Sequence, residues 1–232
     1  MFQSSCNFDV LKEPRGFIKF IQIFLAICAF ATTCDFSTDV KVAIVCSVND
    51  TKFEESYHVF YFFRINDFTV PICNSQKRTN LFGDFSSSAQ FFVFTGVSVF
   101  LYCIGVLILY VVCSETYSNS DRASKADFIA SVLIAVLWFI ASAAWADGVQ
   151  QLKTYTDPLN IIAQVQGADR QKSKPLTLPT YGGVNASLIF GFANIALWAS
   201  SLWFIWKETS WSKRNDSLVE TSNVSGADGS SI

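Results

Sequence analysis

The chain reads as an all-α integral membrane protein: a bundle of four transmembrane helices with a small, disulfide-closed, partly β loop between the first two. Three observations lead there. Half of the residues are hydrophobic, and 23 of the 232 are Phe. The apolar residues gather in blocks of about 20, the length that crosses ~30 Å of hydrocarbon at 1.5 Å per residue. Three of these blocks hold no Asp, Glu, Lys or Arg, and in lipid such a run must be helical because its backbone has no water to bond. The net charge of −2 and the scattered Lys and Arg offer nothing to a nucleic acid.

The first span is residues 17–33, "FIKFIQIFLAICAFATT", behind a cytosolic N-terminus of residues 1–16 that carries Lys12, Glu13 and Arg15. Lys19 falls within one turn of the span's start and is expected to snorkel to the headgroups. Ala29-Phe30-Ala31 also has the small-x-small form of a cleavage site. The residues alone therefore leave two readings, a signal peptide or a retained helix.

Residues 34–88 form a long loop. Cys46 and Cys73 lie 27 positions apart in it. On an oxidising side they are expected to pair, and closing such a loop contributes roughly 3.5 kcal/mol by chain entropy. Asn49-Asp50-Thr51 is a glycosylation sequon beside Cys46. The aromatic stretch "SYHVFYFFRINDF" has β-like character, and its His58, the chain's one histidine, fits a loop position better than a ligand.

The second span, 89–113, and the third, 128–146, are joined by a short link, 114–127. Asp127 closes that link, where it is expected to anchor the helix start at the headgroups. A second loop, 147–183, leads to the fourth span, 184–206, and a disordered tail, 207–232. Lys12, Arg15, Lys19, Arg122, Lys125, Lys207, Lys213 and Arg214 flank the termini and the short link. That bias puts both termini in the cytosol and both long loops in the lumen. The sequon at Asn185 then lies too close to the membrane to be used, and those at Asn215 and Asn223 fall in the cytosolic tail.

Small residues four apart let helices approach closely in lipid. Ser187, Gly191, Ala196 and Ser200 form such a helix-packing seam on the fourth span. Trp145 at one boundary and Trp203, Trp206 and Trp211 at the other are expected to form interfacial belts.

Four stretches resemble the synaptophysin (physin) family, within the MARVEL-domain group of vesicle proteins. They are "VLKEPRGFIKFIQIFLAICAFAT", "GDFSSSAQFFV", "ASAAWADGVQQLKTYTDPLNII" and "GFANIALWASSLWFIWKETSW". The resemblance runs over about residues 8 to 211 and implies a retained first span, hence a four-span MARVEL-like domain over 17–206. Two departures stand out. The second loop lacks the cysteine pair usual in the family, and the tail lacks the Gly-, Tyr- and Pro-rich repeats of synaptophysin, so tail-dependent regulation is not implied.

No phosphate loop, metal-spaced cluster or nucleophile–base constellation is visible, and no cofactor, metal or catalytic residue is expected. The resemblance implies a non-enzymatic structural or adaptor protein of synaptic or small secretory vesicles. It would sit in sterol-rich bilayer, associate with itself and with a synaptobrevin-type fusion protein, and act in vesicle biogenesis, exocytosis and recycling. An oligomeric channel-like pore is the alternative, disfavoured because no span shows a polar stripe. A tetraspanin-like protein is disfavoured too, since the larger loop is the first and the second holds no cysteine.

Overall fold

The computed structural model describes residues 14–73, 75–112 and 121–208. Residues 1–13, half of the short link and the tail beyond residue 208 lie outside the described residues, and with them Lys12, Trp211, Lys213, Arg214, Asn215 and Asn223. Among the described residues there are five α-helices: α1 (Pro14–Cys34), α2 (Ser86–Val112), α3 (Asp121–Thr156), a short α4 (Pro158–Gln164) and α5 (Gly182–Glu208). Four of them are long and apolar enough to cross a membrane, through the stretches Gly16–Cys34, Ser86–Val112, Lys125–Thr156 and Gly182–Trp203. α1 packs on α2 and α5, and α3 packs on the same two, so the four spans form a closed square.

The spacing of buried residues explains how α1 sits in that square. Gly16, Lys19, Gln22, Ala26, Ala29 and Thr33 are buried, while Phe17, Phe20, Phe24, Ile27, Ala31 and Cys34 face outward. Both sets step by three and four, the repeat of one helix face. The bulky Phe stripe meets the surroundings, and the small and polar stripe meets the other helices. In lipid that is the favourable way round, because hydrocarbon rewards apolar contact everywhere and penalises only exposed polar groups.

α3 outruns its apolar run. At 1.5 Å per residue its 36 residues extend about 54 Å, well beyond ~30 Å of hydrocarbon. Its last ten residues occupy what the sequence suggested was loop. Trp145, Gly148, Val149, Leu152 and Thr156 continue one buried stripe, so the helix persists as an amphipathic one after hydropathy has fallen. It stops at Asp157, whose Oδ1 accepts from the Leu159 amide at 2.9 Å and caps α4, with Pro158 in its first turn.

Both long loops build one sheet. Strand β1 (Ser37–Val45) pairs antiparallel with β2 (Lys52–Phe60) on one side and with β5 (Lys174–Thr177) on the other, so β1 is central. Thr38, Val40, Val42 and Ile44 point inward, in the period-two alternation of a strand with one packed face. β5 carries Pro175, acceptable because β5 is an edge. A small hairpin, β3 (Thr69–Pro71) with β4 (Arg78–Asn80), follows a 3₁₀ turn at Ile65–Asp67. Arg78 ties it to β2 through a bidentate pair with Glu55, at 3.0 and 2.9 Å. The buried cluster runs without a break from the sheet, through Phe36, Phe63 and Trp145, into the helix bundle.

Candidate functional site

A charged clasp sits inside the bundle. Lys19 of α1 places Nζ 3.8 Å from Asp127 Oδ1 of α3, and the two side chains are 4% and 8% exposed. The carboxylate accepts from two phenols of α2: Tyr102 at 2.8 Å on Oδ1 and Tyr110 at 3.0 Å on Oδ2. The ammonium also lies 4.7 Å above the Trp198 ring of α5 and 5.4 Å from the Tyr102 ring. All four spans thus meet at one ion pair. One turn deeper, Gln22 donates to Ser201 at 3.4 Å, and the Cys103 thiol lies 3.8 Å from Gln22 Oε1.

Burying a charge in an apolar bundle is costly unless it is paired and hydrogen-bonded. Here the anion, two hydroxyl donors and two aromatic faces supply that compensation. The carboxylate is hydrogen-bonded on both oxygens, whereas Lys19 Nζ has the ion pair and the two ring faces but no hydrogen bond among the described residues. With the pair closed off among four helices, the group suits fixing helix register rather than exchanging a ligand. Two expectations are thereby corrected. Lys19 does not snorkel outward, because its position falls on the inner stripe of α1. Asp127 does not face headgroups, because the facing tyrosines of α2 draw it inward. Trp145 is corrected too: it is wholly buried and donates from Nε1 to Ser187 Oγ at 2.9 Å. Trp203 and Trp206 do remain on the outside.

The fourth-span residues do not form one seam. Ser187 and Gly191 face into the bundle, and a Cβ built on Gly191 would come within 2.8 Å of both Phe92 Cε2 and Ser142 Oγ. Ala196 and Ser200 face outward. The reason is angular: at 100° per residue, positions 196 and 200 lie about half a turn round the helix from 187 and 191.

At the loop end, Cys46 and Cys73 form a disulfide with Cα atoms 5.5 Å apart. The second loop has no cysteine of its own, yet its backbone is laced to this bond. Cys73 N donates to Gln166 O at 3.1 Å, Ser47 N donates to Gly167 O at 3.0 Å, and Cys46 bridges to Ala168. Gly167 has φ +81°, and a Cβ there would meet Cys73 Cβ at 2.9 Å, so only glycine fits. Asn49 stands exposed at the tip of the β1–β2 hairpin. Asn185 lies on the first turns of α5 and accepts from Lys153 Nζ at 2.7 Å. His58 is on β2, opposite Asp39, with Nδ1 2.7 Å from its carboxylate. Among the described residues no group of His, Cys, Asp and Glu could hold a metal.

Residues 10–204 match MARVEL, a membrane-associating domain. The chain belongs to the MARVEL family. As a MARVEL protein it is a multi-pass membrane protein, and its outward faces, Phe17, Phe20 and Phe24 of α1 among them, lie against lipid. The expected fold class holds: four apolar spans, with a disulfide and a small sheet between the first two. Sequence reasoning missed the Lys19–Asp127 clasp of this MARVEL bundle. The signal was present in the three-four spacing of Gly16, Lys19, Gln22, Ala26 and Ala29, which sets the charge among the small residues of an inner face.

Proposed function

We propose that this MARVEL protein is a non-enzymatic structural and adaptor protein of synaptic or small secretory vesicle membranes, of the synaptophysin (physin) kind. In this reading both termini are cytosolic and the loop domain is lumenal. The protein associates laterally with copies of itself and with a synaptobrevin-type fusion protein in sterol-rich bilayer, during vesicle biogenesis, exocytosis and recycling. The observation that carries the reading is the division of the spans into two kinds of surface. Lys19, Gln22, Asp127 and Asn194 all turn inward. The outward face of α5 presents Ala196 and Ser200 between the larger Ile189, Phe192 and Trp203. A small-residue notch in an apolar face recognises another helix, whereas a pore would need polar groups aimed at a neighbour.

Vesicle fractionation with crosslinking tests this. The protein should co-sediment with small vesicles rather than plasma membrane, and protease added to sealed vesicles should trim the termini while sparing the disulfide loop. Ser200→Leu should weaken crosslinking to itself or to the fusion protein without altering the disulfide. Plasma-membrane residence, or undiminished crosslinking in both assays, overturns the proposal.

A further inference from the structure

We propose that the aromatic base of the β1–β2 hairpin, Phe60 to Arg64, is a lipid anchor lying in the headgroup region of the loop-side leaflet. Phe60 and Phe62 rest on phospholipid there, and Arg64 faces phosphate.

Placement comes from strand register. Phe60 pairs with Ser37, the third residue past the end of α1 at Cys34. Three residues reach at most ~10 Å, so Phe60 stays near the membrane boundary. The hairpin tip, by contrast, lies eight residues further along β1, about 26 Å at ~3.3 Å per residue. Burial pushes the Tyr61 phenol upward in pKa, with a smaller contribution from the charge of an ionised Cys34. Cys34 is the last member of the outward stripe Phe17, Phe20, Phe24, Ile27 and Ala31. The loop therefore prolongs a surface that already faces lipid.

Its conformation is held from the inside. Phe63 is wholly buried, with its ring 5.5 Å from Phe36 and 5.0 Å from Trp145, and its carbonyl accepts from the Phe85 amide at 3.1 Å. One residue is thus plugged between the end of α1, the start of α2 and the side of α3 at Trp145. Phe62 and Phe63 have φ of +87° and +55°, a region that bulky side chains rarely enter. Such a conformation persists only where the surroundings fix it, and it accompanies functional segments. Its effect is to turn Phe62 outward: the ring is 47% exposed, leaning on Tyr61 at 4.5 Å with the Arg64 guanidinium 5.9 Å from its centroid. Phe60 beside it is 53% exposed. Aromatic rings with a neighbouring cation are what the membrane–water interface selects.

Nitroxide accessibility in full-length protein, one copy per lipid nanodisc, tests the placement. Cys46 and Cys73 are kept and the remaining cysteines replaced. A single label is introduced by Phe62→Cys, by Phe60→Cys, or by Val48→Cys at the hairpin tip. The reduced–non-reduced mobility difference of the disulfide confirms folding of each variant. Labels at 60 and 62 should collide several-fold more with oxygen, relative to a water-soluble nickel chelate, than the label at 48. Should Phe62→Cys fail to fold, Phe60→Cys decides alone. Nickel accessibility at the base equal to that at Val48 overturns the proposal, and so does a base shielded from both reagents, since protein rather than lipid would then cover it.

Discussion

At the scale of single residues, Lys19 and Asp127 show how little a charge reveals about its direction. A lysine near a helix end can snorkel or turn inward, and the choice depends on neighbours that hydropathy does not weigh. Removing one partner leaves the other charge buried and unpaired, so Asp127→Leu should destabilise the bundle by about 3 kcal/mol or more. The pair Lys19→Met with Asp127→Leu should restore most of that, because apolar replacements leave no orphan charge. Unfolding in bicelles would check both, and equal instability in the double variant would contradict the clasp. Asp84 gives a pH signature at the start of α2. The hydroxyl and backbone amide of Ser86, at 2.6 and 3.0 Å, hold its carboxyl below the usual range. Its stabilisation is complete above the unfolded value of about 3.9 and disappears as pH falls through the lower folded value. The unfolding midpoint should stay flat on mild acidification and then drop, with a shallower drop in Asp84→Ala.

Among the elements, α5 separates two roles that small residues share. Gly191→Leu drives a side chain into Phe92 and Ser142, and overpacking of this kind costs about 1–3 kcal/mol. It should therefore lower the stability of the isolated protomer in a thermal melt. Ser200→Leu, on the outer face, should leave that melt unchanged. The reverse order would place the packing face on the other side of the helix. The four small residues were legible in the sequence, but their division was not, because the i to i+4 spacing of each pair hides the half-turn between the pairs. α3 carries a similar lesson. Asp147, Gln150, Gln151 and Lys153 lower the local hydropathy and suggest a loop, while Val149 and Leu152 keep the helical stripe. The "TDPLNII" end of the stretch "ASAAWADGVQQLKTYTDPLNII" then proves to be the break and cap between α3 and α4.

Across the whole molecule, the cysteine pair and the four spans were legible because each rests on a local signal: a redox-capable pair within one loop, and apolar runs of membrane length. The three-stranded sheet was not, because it joins Lys41–Ala43 to Lys174–Thr177, and nothing local in "KPLT" announces a partner 130 residues away. Cys46→Ser should lower stability by about 3.5 kcal/mol through loop entropy and abolish the mobility difference between reduced and non-reduced protein. Asn49→Gln, at the exposed tip, should remove all glycosidase-sensitive mass. Glycan remaining in that variant would point to Asn185 and contradict the placement of the start of α5 at the membrane.

The strand β5 has a bearing on biogenesis. β1 lies before α2 and β5 after α3 in the chain, so β1 gains its second neighbour only when α2 and α3 have both crossed and the two loops share one side of the bilayer. A chain that stops after α2 is left with β1 lacking its second neighbour, and with the Cys73 and Ser47 amides lacking the Gln166 and Gly167 carbonyls. Closure of the sheet is therefore tied to the arrangement of helices that the sheet itself never enters.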